Sequence, residues 1–131
     1  MKESALYISM CKALHSLSIL GLSPHFVASN DQVHIVGEDD EVRTVEKNIG
    51  GQIAVRDLPG TYNSDQYVWV PKRDQLKKIA AEKGINEESF KALKEKQGAS
   101  FSEEEARLVY MMAMRFYYRW DNGGWAQIKT R

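Results

Sequence analysis

At 131 residues the chain is long enough for one compact domain that needs no metal or disulfide to fold, although length alone does not exclude two small lobes. Hydrophobic residues make up 43% and charged residues 27%, ordinary globular usage that argues against disorder, collagen and coiled coil. Eighteen Lys plus Arg balance eighteen Asp plus Glu, which disfavours a binder that grips nucleic acid by bulk charge, and the single Cys11 excludes an internal disulfide framework or zinc-finger cluster.

The first predicted element is a helix over residues 4–20. Leu6, Met10, Ala13, Leu14, Leu17 and Leu20 recur at helical spacing, with Ser4 as its cap and Gly21 as its terminator. Cys11, Lys12, His15, Ser16 and Ser18 interrupt the apolar run, so the segment reads as a helix of a mature cytoplasmic protein and not as a signal peptide. No apolar stretch approaches the ~20 residues needed to span a membrane.

Residues 24–70 are rich in short strands. Runs 25–28 and 32–36 flank the turn-forming Ser29-Asn30-Asp31 and suggest a hairpin. Residues 42–45, 52–56 and 66–70 read as further strands, separated by turns at 37–40, 48–51 and Pro59-Gly60. The expectation is a small antiparallel sheet of three to five strands with a face covered by helices.

Three helices follow, at 72–83, 86–97 and 102–120. Pro71 precedes the first and Gly84 ends it; Leu76, Ile79 and Ala80 mark its inner face. Asn86 caps the second, with Ile85 placed to pack on Phe90, and Gly98 ends it. Ser102 and Glu105 form a capping box for the third, with Glu103 and Glu104 at the positive end of its dipole. Asp121-Asn122-Gly123-Gly124 stops that helix and a short strand is expected at 125–129. The fold class is therefore α+β in one domain: a helix, a small sheet and a helical carboxy-terminal half.

The last helix carries two stripes. Ala106, Val109, Tyr110, Ala113, Phe116, Tyr117 and Trp120 make a core face. Arg107, Met111, Met114 and Tyr118 lie about a quarter to a third of a turn away, a surplus that means packing between two layers or a patch awaiting a partner. With Arg115 alongside, Arg107, Met111, Met114 and Tyr118 are the candidate partner-binding residues.

Other constellations are weaker. Cys11 and His15 share a helix face, but no orienting group or oxyanion loop accompanies them, so a half-buried thiol is the plainer reading. His25 and His34 lack further metal ligands and read as solvated sheet residues. Glu38 to Glu41 lack the ligand alternation of a calcium loop. Gly50-Gly51 and Gly123-Gly124 lack the lysine and spacing of phosphate loops, and no metal or cofactor is expected. Charge is nonetheless uneven. Residues 31–65 hold eight acids against three bases, and residues 72–96 hold eight bases against five acids. Lys72, Arg73, Lys77 and Lys78 on the first of the late helices thus form a candidate nucleic-acid contact, weakened by interleaved glutamates.

The stretch Tyr67-Val68-Trp69-Val70-Pro71-Lys72-Arg73-Asp74-Gln75-Leu76 resembles a motif of small phage and prophage proteins of unknown function. Phe101-Ser102-Glu103-Glu104-Glu105-Ala106, leading through aromatic residues to Trp120-Asp121-Asn122-Gly123-Gly124-Trp125, extends the resemblance over roughly the last half of the chain. It implies a phage-derived origin and no particular chemistry. The reading favoured is a non-enzymatic accessory protein that works by protein–protein contact or self-association, with nucleic-acid contact through the helix at 72–83 as the alternative.

Overall fold

The computed structural model describes residues 5–17, 27–37, 41–97, 101–121 and 123–128. The fold is α+β, and its contacts gather in two compact units, residues 1–71 and 72–131.

The first unit opens with α1, Ala5–Leu17. Ser4, Gly21 and the remainder of the predicted 4–20 helix lie outside the described residues. Tyr7, Ile8, Met10, Cys11 and Leu14 are buried, and the Tyr7 hydroxyl donates to the Pro71 carbonyl at 2.7 Å. The sheet comprises β1 (Gln32–Ile35), β2 (Arg43–Ile49), β3 (Gln52–Val55) and β4 (Tyr67–Trp69), in the order β3-β2-β1-β4 with every pair antiparallel. The four strands of this sheet among the described residues fall within the expected number. Alternation places Val33 and Ile35 on one face, where they cluster with Val27, Val45, Ile53, Val55 and Tyr67.

Two turns fix the register. Gly50 (φ 61°) and Gly51 (φ 93°) join β2 to β3 through a two-residue loop, and positive φ at both central positions is what a type I′ turn requires. Glu46 is the extra residue of a bulge in β2, between the pairs Val45–Val55 and Lys47–Ala54. The turn at 28–31 docks on that bulge. Asn30 N–H donates to the Val45 carbonyl, Val45 N–H to the Asp31 carbonyl, and the Ser29 hydroxyl to the Glu46 carbonyl.

This turn corrects the predicted first hairpin. Residues 27 and 28 form no strand, and β1 pairs instead with β2 and β4. The Asp31 carboxylate accepts from Ala28 N–H at 2.9 Å and Asn30 takes φ 76°, so the side chain closes a tight turn where periodicity suggested a partner strand.

The second unit contains α2 (Arg73–Glu82), α3 (Glu87–Gln97) and α4 (Glu103–Met111). The end signals act as the sequence indicates. Gly84 N–H donates to the Ala81 carbonyl and Ile85 N–H to the Ala80 carbonyl, a Schellman closure with Gly84 at φ 72°. The Asn86 side chain accepts from Glu88 N–H at 2.7 Å. Ser102 Oγ accepts from Glu105 N–H while the Glu105 carboxylate accepts from Ser102 N–H, completing the capping box. Gly98 lies outside the described residues.

The predicted helix over 102–120 is corrected. The α-helix ends at Met111, widens into one π-helical turn at Met112–Phe116, and stops at Tyr117 in the left-handed region (φ 61°). Tyr118–Asp121 is a strand, β5, which pairs antiparallel with β6, Gly124–Gln127. The tail strand expected at 125–129 is observed as β6 at Gly124–Gln127, with Ile128 beyond its end and residue 129 outside the described residues. The physical reason is the pairing Trp120–Trp125. The ring centroids stand 5.0 Å apart in an edge-to-face arrangement, a cross-strand contact that helical continuation would forfeit.

Replacing Gly84 with alanine should cost about 1 kcal/mol, because a Cβ is strained at this φ although space is open around it. Urea unfolding of Gly84→Ala against wild type measures this; an unchanged midpoint would contradict the closure described.

Candidate functional site

The π turn and the hairpin place the candidate residues very differently from a single helical stripe. Every residue from Glu105 to Met112 is buried, so the surplus apolar face of α4 is largely covered within the chain. Arg107 is 7% exposed and Met111 is 1% exposed. Met114 stands 52% exposed, Arg115 is exposed, and Tyr118 is half-buried on β5. The five predicted partner residues therefore do not share one surface. Tyr117, assigned by periodicity to the core, is 53% exposed because the left-handed backbone turns it away from the helical path.

Arg107 is instead the centre of a charged cluster. Its guanidinium donates through Nη1 to Glu87 at 3.0 Å and through Nη2 to the other Glu87 oxygen, a bidentate pairing between α4 and α3. Its Nε donates to Glu103 at 2.9 Å, one helical turn away on α4. The guanidinium carbon lies 4.4 Å from the Phe90 ring centroid, and Phe90 meets Tyr110 at 6.0 Å. Leu76, Ala80, Ile85, Glu87, Phe90, Arg107, Tyr110 and Met111 line a small, mostly apolar cleft. The i, i+4 spacing of Glu103 and Arg107 was a readable sign of this pairing; Glu87, twenty residues upstream, carried none.

The electrostatics follow from that geometry. The Arg107 hydrogen bond, aided by its charge, holds the Glu87 carboxyl below the usual glutamate range despite the cost of desolvation. Burial pushes Glu103 up, but hydrogen bonding and charge from Arg107, with Arg73 and Lys94, outweigh it and leave Glu103 lowered. Both shifts describe a structural network; they do not poise a group for proton transfer near neutrality.

The candidate nucleic-acid residues are also divided. Arg73 donates to Glu104 at 2.8 Å and lies 3.5 Å from Glu103, which keeps its charge occupied at the start of α2. Lys72 N–H begins α2 by donating to the Gln75 side chain, and the Lys72 side chain is half-buried. Lys77 and Lys78 are exposed on α2.

Cys11 is 2% exposed, more buried than expected, so its thiol is closed to a substrate unless the first unit opens; the His15 side chain is outside the described residues. His34 is 1% exposed, not solvated as its sheet position suggested. Its Nδ1 lies 3.2 Å from the Glu41 carbonyl, which can only accept, so that nitrogen carries the proton. His25 and residues 38–40 of the acidic run lie outside the described part. Among the described residues, no three His, Cys, Asp or Glu side chains gather in a metal-ligating group, and no helix is long and apolar enough to cross a membrane.

Because Glu87 and Glu103 titrate lower in the folded chain than unfolded, the unfolded state binds protons more tightly. Their contribution is complete above the usual glutamate value of 4.5 and is lost as pH falls through the lower folded values. Urea midpoints should therefore decline from about pH 5 towards pH 3, and the decline should be shallower in Glu87→Gln, whose neutral amide cannot titrate. Equal slopes in the two proteins would show that the cluster does not govern acid stability.

No family model, curated protein or solved structure matches the chain.

Proposed function

We propose that the chain is a non-enzymatic accessory protein of phage or prophage type, acting in the cytoplasm by protein–protein contact through the segment from Met114 to Arg119. One observation carries this reading: large apolar side chains stand exposed there, flanked by cations. Met114 and Tyr117 are each about half exposed, in the same short segment as the exposed Arg115 and Arg119. Apolar groups left in water beside arginine are the composition of a contact surface, since arginine and aromatic residues are favoured at interfaces. The π turn supports the same reading. It interrupts the α-helical hydrogen-bond pattern and with Tyr117 brings a non-glycine residue into the left-handed region, two departures that cluster at functional sites.

The original five-residue patch is thereby narrowed and moved. Arg107 and Met111 are buried and drop out of it, whereas Met114, Arg115, Tyr117 and Arg119 present it. Nucleic-acid contact through Lys72, Arg73, Lys77 and Lys78 has less support, because Arg73 is already engaged by Glu103 and Glu104.

A photo-crosslinking residue in place of Tyr117 should yield discrete covalent products on irradiation in the native host, and one in place of the exposed Lys78 should not. Diffuse or absent products at both positions would remove the contact reading. Met111→Asp should unfold the unit, as it places an unpaired charge at a buried position.

A further inference from the structure

We infer that the partner of this surface is a second copy of the chain, joined edge to edge through β5 in an antiparallel pair centred on Trp120. This rests on the reading of the Met114 to Arg119 region as a protein-contact surface and adds the identity and register of what docks there.

The backbone supplies the first argument. The hairpin pairs Tyr118 with Gln127, Arg119 with Ala126, Trp120 with Trp125 and Asp121 with Gly124. Ile128 N–H donates to the Tyr117 carbonyl at 2.7 Å, which makes Tyr117–Ile128 a hydrogen-bonded pair. Hydrogen-bonded pairs alternate along an antiparallel ladder, so Arg119 and Asp121 turn their peptide groups towards β6. Tyr118 and Trp120 turn theirs outward. Among the described residues, β6 is the only strand that pairs with β5. The outer edge thus offers the N–H and C=O groups of Trp120 as one half of a new hydrogen-bonded pair.

Charge supplies the second. Arg119 and Asp121 lie on the same side of β5, their side chains 68% and 49% exposed, and approach each other only to 3.7 Å. An exposed pair of that length contributes little by itself. A two-fold axis through Trp120 sets Trp120 opposite its copy, Arg119 opposite the second Asp121, and Asp121 opposite the second Arg119. These flanking positions are non-hydrogen-bonded pairs, where opposed side chains come closest. The backbone phase and the charge order select the same register, and the contact is isologous, as two-fold assembly demands. Because β5 has four residues, the interface is small and the dimer weak and concentration-dependent.

The test is sedimentation equilibrium of the full chain, up to ~1 mM because small interfaces bind weakly, with circular dichroism confirming the fold of each variant. Wild type should dimerise reversibly. Arg119→Asp, which opposes like charges across both flanking pairs, should weaken the dimer at least about tenfold. The double exchange Arg119→Asp with Asp121→Arg should restore it. A wild-type chain that stays monomeric throughout, an Arg119→Asp chain that dimerises as wild type does, or a double exchange that stays dissociated would each overturn the inference. Tyr117 crosslinks to another protein in a chain that never dimerises would leave the contact reading standing and remove only the second copy. Loss of all crosslinks at Tyr117 with the charge pattern intact would do the reverse.

Discussion

Burying Arg107 obliges the helices around it to supply carboxylates. A guanidinium removed from water keeps its charge at any physiological pH and has five donors to satisfy, so its neighbours must provide both acceptors and countercharge. Glu87 does so from α3 and Glu103 from the first turn of α4, while Phe90 closes over the planar face. Glu103 then also faces Arg73 and Lys94, which links α2 and α3 to the start of α4 electrostatically. The capping box at Ser102 and Glu105 holds that first turn in place, so the position of Glu103 depends on a local hydrogen-bond signal as well as on packing.

The first unit is organised on different physics. Its sheet depends on turns that leave little freedom of register: paired glycines between β2 and β3, and a bulge whose carbonyls receive the turn at 28–31. Asn48 adds a side-chain hydrogen bond to the Val27 carbonyl at 2.7 Å, tying the same turn to the far end of β2. The two units thus illustrate two ways of fixing a structure, backbone complementarity in the sheet and side-chain electrostatics among the helices.

What was legible in the sequence follows from the range of each signal. Gly84, Asn86, Ser102 and Glu105 act within a few residues of themselves, and they mark the observed helix ends. The strand content was legible because alternation is local, but pairing partners were not. Nothing in residues 25–36 says that Asp31 will close a turn against its own backbone while β1 pairs with β4 more than thirty residues later. The late helix misled for a related reason. Tyr117, Tyr118 and Trp120 fit a helical stripe as readily as an alternating strand, and only the distant Trp125 decides between them. Arg107 was drawn into an exposed patch because its bidentate acceptor lies on another helix.

The π turn at Met112–Phe116 is, in length, an α-helical segment holding one residue too many. An α-helix advances about 100° per residue. A chain one residue shorter there could close the ordinary hydrogen bonds, and its hairpin would leave the helix rotated by about that angle. The direction in which Trp120 and Arg119 are displayed is therefore set by chain length in the turn that precedes their strand. In this part of the molecule a single deletion would redirect the edge of β5 without altering any residue of that strand.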